Sequence, residues 1–164
     1  MAELTNLESK LGEVLGVAQA AKGATAKVKG LADDEQELAA VLERMGNEAE
    51  ETARRCEELA GGFDGKKTAI LEQARETKRE ATEMMETYLG DDADALDGFE
   101  FLTMAEAGEV GHWEIVGVLA DRAGHAETRS LVEWALPIQQ RHLADVRDGS
   151  LKLAGQEDPY EPSG

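Results

Sequence analysis

Cysteine is nearly absent from this 164-residue chain. Cys56 stands alone, which excludes an intramolecular disulfide framework and any multi-cysteine zinc or iron–sulfur site. Proline occurs three times and aromatic residues make up 4%, a poverty that favours helix over sheet. Basic residues are scarce: 17 Lys and Arg face 35 Asp and Glu, for a formal charge of -18. A phosphate backbone or an anionic membrane surface would be repelled, so neither nucleic acid nor membrane is an expected partner. No run approaches the roughly 20 apolar residues that cross a bilayer, and the charged start, MAELTNLESK, lacks the apolar stretch of a secretory leader. These features predict a reduced, cytoplasmic protein. What is present is 41% hydrophobic residues, enough for a single core in one domain of this length.

The hydrophobic residues recur in steps of three and four, the spacing of one helical face. Leu4, Leu7, Leu11, Val14, Ala18, Ala21, Thr25 and Val28 predict a first helix over residues 3–29, in which Gly12 and Gly16 would let a neighbour approach closely. After a cap at Asp33 or Asp34, Leu38, Leu42, Met45, Ala49, Thr52, Cys56 and Leu59 predict a second helix running to about Ala60, with Cys56 as a packed thiol. Gly61 and Gly62 break it. The stretch from Gly61 to Thr68 has neither the spacing nor the preceding strand of a phosphate loop and reads as a hinge. A third helix is expected over 66–89, a fourth over 95–123 after an acidic loop, and a fifth over 126–154. The expected architecture is all-α, a four-helix bundle over residues 1–155 with one additional helix, crossing the bundle or appended alongside it, followed by a polar tail, 156–164.

The fourth helix carries polar residues where an inert bundle would use leucine. Its stripe is read as Leu102, Ala105, Glu109, His112, Val116, Leu119 and Ala123. The fifth repeats the arrangement with Val132, Ala135, Gln139, His142, Val146, Gly149 and Leu153. In an antiparallel hairpin turning near residue 125, position 109 falls level with 142, and 112 with 139. A Glu and a His three apart lie on one helical face and can converge on a common point. A carboxylate on an apolar seam calls for a metal, a salt bridge or water. Pro137 is expected to bend the fifth helix just before Gln139. His125 is expected exposed in the turn, and Trp113 and Trp134 to shield the layer or meet a second copy.

The segment from Ala105 to Leu143, AEAGEVGHWEIVGVLADRAGHAETRSLVEWALPIQQRHL, resembles the last two helices of ferritin-like proteins, in particular the bacterial YciF-type stress-protein family. The first hairpin shares only the helix pattern. The resemblance implies two iron or manganese ions held by one Glu from each of two helices and a Glu-x-x-His from each of the other two. Glu109 and His112 match one such pair and His142 the histidine of the second, while Gln139 stands where its Glu belongs. Gly111 replaces a Glu of the family phrase, a register that would instead highlight Glu114. Carboxylates from the first hairpin would be Glu48 and Glu13, with Glu51 and Glu106 in reserve. Gln139, Glu106 and Glu114 would orient the ligands.

Imidazole with carboxylate suits iron or manganese, and zinc also fits. The expected function is metal binding with oxygen- or peroxide-linked redox chemistry in a stress role, in a homodimer or higher homo-oligomer. Glu109 and His112 would hold one ion and His142 the other. A competing expectation is a non-catalytic helical interaction protein with a vestigial metal site, whose acidic surface and tail meet a basic protein partner. A third is a ferritin-like oxygenase acting on a small organic substrate.

Overall fold

The computed structural model describes residues 2–163. Helices make up 81% of the described residues, among which no strand occurs, so the fold is all-α. The five helices are α1 (Asn6–Leu31), α2 (Gln36–Ala60), α3 (Lys67–Tyr88), α4 (Ala95–Ala123) and α5 (Ala126–Ala154). No helix among the described residues is long and apolar enough to cross a membrane.

Local chemistry sets the ends. Thr5 and Asp94 each form a reciprocal capping box, with Glu8 and Asp97, so two orphan amides are satisfied at each helix start. Neither Asp33 nor Asp34 caps α2: Glu35 takes that place without a side-chain hydrogen bond. Gly124 ends α4 in the left-handed region, φ 63°, where a side chain would be strained. His125 then caps α5, its ring accepting from the Thr128 amide and stacking on Phe63 at 4.8 Å. Pro137 lies within α5 without ending it.

Four helices close a ring in which α1 packs on α2 and α4, and α5 packs on the same two. The predicted crossing helix is corrected here, because α3 lies lengthwise on the outside of α1, running in the same direction. A Cβ on Gly12 would meet Gln73 at 2.8 Å, and one on Gly16 would overlap the Ala74 carbonyl oxygen. Only backbone fits at these two crossings, so the glycines let the helices touch. Along α3, Ile70, Ala74, Thr77, Ala81, Met84 and Tyr88 follow helical spacing, but only Ile70 and Ala74 of this stripe are buried: Met84 is 67% and Tyr88 46% exposed. The first half of α3 is sealed against α1 and the second half is not.

Two apolar clusters fill the bundle. One, built around Leu11, Leu15, Ile70 and Trp113, occupies the end at the α4–α5 turn; the other, around Val28, Leu42, Met45 and Phe99, occupies the opposite end. Between them lies a layer that is not apolar.

Candidate functional site

The layer is formed by Glu106 and Glu109 of α4 and Gln139 and His142 of α5, all at most 3% exposed, with Glu48 of α2 at its outer edge. The α5 stripe is buried as expected, from Val132 to Leu153. The α4 stripe is not. Its buried residues run Leu102, Glu106, Glu109, Trp113, Val116 and Ala120, rotated so that positions 105, 112 and 119 leave the seam. Trp113 explains the rotation: its ring is by far the largest apolar surface in this part of α4, and burying it outweighs burying His112. The facing register shifts with it. Glu106, not Glu109, faces His142, and Glu109, not His112, faces Gln139.

The groups form a chain of contacts from the surface inward. Glu48 is held by Arg141 and by Arg44, the latter at 3.3 Å. Its Oε1 lies 3.3 Å from Nε2 of His142. The other ring nitrogen, Nδ1, faces Glu106 at 3.8 Å, too long for a hydrogen bond. With its NH2 turned inward, the Gln139 amide donates to both carboxyls, 2.9 Å to Glu106 and 3.0 Å to Glu109. No cationic side chain lies within ion-pair distance of Glu109 among the described residues.

Burial controls the charge of the layer. It lifts the Glu106 carboxyl to about 8, and it lifts Glu109 well above the usual range, with the nearby Glu106 adding to the effect. His142 is pushed down by burial, against the opposing pull of Glu48. Burial also acts to raise Glu48, but hydrogen bonds from Arg141 and His142 outweigh it and hold the carboxyl low. Cys56, fully buried, is pushed up by burial and by the charge of Glu109, so it is an inert core thiol as expected.

The remaining predicted site residues lie elsewhere. His112 is half-exposed; its Nδ1 donates to the Gly108 carbonyl at 3.0 Å, and Nε2 faces Glu13 at 3.6 Å. Glu13 also pairs with Lys10 at 2.8 Å, and it does not share a level with Glu48. Glu51 binds Arg54 and Arg55 on the outside of α2, and Glu114 is exposed. The structure therefore joins Glu48, Glu106, Glu109, Gln139 and His142, and it separates His112, Glu13, Glu51 and Glu114 from them. Trp134, half-buried, carries Arg55 over its ring at 4.0 Å. Among the described residues, no three His, Cys, Asp or Glu side chains already converge as a ligand set. Comparison with protein families, with curated proteins and with solved structures finds no match.

Proposed function

We propose that this layer is a divalent-metal site in a ferritin-like bundle, and that the protein is a cytoplasmic handler of iron or manganese under oxygen or peroxide stress. One observation carries the reading: two carboxyl groups on one face of α4 are buried in the layer, and among the described residues no cationic side chain lies within ion-pair distance of Glu109. Such burial costs several kcal/mol, and a cation relieves it.

The donor chemistry fits. Carboxylate and imidazole are the ligand types iron and manganese take, with zinc also served, and Nδ1 of His142 faces Glu106 without a hydrogen bond between them. Glu106, Glu109 and His142 would hold the ion, and Glu48 would close the outer side. Gln139 would orient the two carboxylates from α5, through the donor group that already spans them. A bound iron or manganese ion supplies one-electron chemistry toward oxygen or peroxide. Buried apolar side chains flank the layer, Trp113 and Val116 on one side and Leu102 on the other. Burial raises the carboxyls of Glu106 and Glu109, so metal uptake would release protons.

The test is elemental analysis of protein stripped with chelator and reloaded with ferrous or manganous ion. Binding near one ion per chain or more is expected. Less than about 0.1 per chain overturns the reading, because a folded site should approach stoichiometry.

The outer face of α4 supports a homodimer. Met104, Gly108, Gly111, Ile115 and Val118 follow helical spacing on that face, the three large residues are 46–60% exposed, and both glycines have open space beside them. A second copy packing there would cover the patch. Sedimentation of the parent and of Ile115→Asp checks this, with loss of the dimer expected in the variant.

A further inference from the structure

Where the second half of α3 no longer seals α1, a crevice of about 280 Å³ opens between α1, α3 and α4. Its walls include Val17, Ala21 and Ala24 of α1, Ala81 and Met85 of α3, and Leu102 of α4. Glu106 and Glu109 line it as well, although both are almost entirely buried. Lys78 is the one cationic residue of the lining, and it is exposed.

We propose that this crevice binds an aliphatic ammonium compound, with its hydrocarbon chain against the alanine and methionine walls and its cationic head on Glu106 and Glu109. The walls are mainly apolar, with Gln19 and Thr82 as their neutral polar side chains, so most hydroxyls of a sugar would go unpaired. An anion would meet two acids and no buried cation. A neutral hydrocarbon would fill the walls but leave the carboxyls as they are. An ammonium group brings three donors and a positive charge to two carboxyls, displacing their protons to solvent, and among the described residues Glu109 has no cationic side chain within ion-pair distance. The volume holds roughly nine atoms at the space of a water each, the size of n-octylamine. The ligand would use two of the proposed metal ligands and no metal, so it competes with the ion for Glu106 and Glu109 and is tested in its absence.

The test uses metal-free full-length protein at neutral pH, with calorimetric titration of n-octylamine, n-octanol and octanoate. The amine is expected to bind at least ten-fold more tightly than the alcohol, and octanoate more weakly than either. Glu106→Gln with Glu109→Gln should bring the amine down to the level of the alcohol. An amine attracted merely to the acidic surface would be indifferent to losing two of 35 acids, and that outcome overturns the proposal. Ala81→Trp, which fills the crevice, should abolish binding of both compounds. Should the double variant fail to fold, nuclear Overhauser contacts from the octyl chain to the methyl groups of Ala81 and Met85 in the parent protein decide the matter: their presence supports the site, and their absence overturns it. Every measurement is made without metal, so failure here is distinct from failure of metal loading.

Discussion

Nε2 of His142 on α5 stands 3.3 Å from Oε1 of Glu48 on α2, and this contact joins the buried layer to the protein surface. His112, the other histidine of the resemblance, faces Glu13 across the α1–α4 side instead. The two histidines therefore differ in what their removal should do. His142→Leu is expected to abolish the thermal stabilisation that iron or manganese gives. His112→Leu should change stability by no more than about 0.5 kcal/mol, as for other surface substitutions, and leave metal loading intact. Thermal melts of each variant with metal and with chelator check this. A metal effect lost in His112→Leu and kept in His142→Leu would refute the assignment.

The pH dependence of the metal-free protein follows from the layer. Glu106 is raised to about 8 in the folded chain from an ordinary 4.5, so the folded state holds a proton that the unfolded state has released. Stability is then full below the unfolded value and falls as pH rises toward 8. His142 is lowered from 6.5, which acts in the opposite sense but only below that pH, where the unfolded chain binds the extra proton. Between pH 6.5 and 8 the carboxyls act unopposed, and urea unfolding of chelated protein should show stability declining there by an amount on the order of 1 kcal/mol per pH unit. Flat or rising stability across this window would contradict it.

The scaffold was legible in the sequence where only one face of a helix could be apolar. All seven residues assigned to the α5 seam are buried, and on α2 the assignment holds as far as Cys56. On α4 two stripes compete, sharing positions 102, 109 and 116. The one through Ala105 and His112 carries the familiar Glu-x-x-His spacing, and the one through Glu106 and Trp113 carries the bulk. Packing chose bulk. A weighting by side-chain area would have moved Glu106 from a reserve residue onto the buried seam, because Trp113 lies seven residues beyond it on the same face. The place of α3 was less legible, since it depends on what Gly12 and Gly16 leave out rather than on any residue that α3 itself contains.

Gln139 is the only amide in the layer, and its two carboxyl contacts make it a sensitive position. Gln139→Leu leaves both acids without their donor and is expected to cost about 1–3 kcal/mol. Gln139→Glu places a third carboxyl in the same space and should destabilise the chelated protein by about 3 kcal/mol or more. Manganese should restore more stability to that variant than to the parent. Paired urea titrations with and without the ion measure the difference.

Close packing around two glycines gives a further expectation. A Cβ at Gly149 would lie 2.5 Å from the Phe99 ring, and Gly149→Ala should lose about 1–3 kcal/mol as the ring is displaced. At Gly16 the obstacle is the backbone of α3, which cannot rotate away, so Gly16→Ala should lose at least as much. Chemical denaturation of both variants tests the order.

The single thiol gives the bundle a reporter of its own opening. Cys56 is buried beside Glu109, and its ionisation is suppressed, so a thiol reagent in solvent has nothing to attack while the ring of helices is closed. Each labelled molecule must first have exposed the C-terminal part of α2. The rate of labelling therefore counts those excursions one chain at a time, with no added probe, and any ligand or ion that steadies the layer should slow the count.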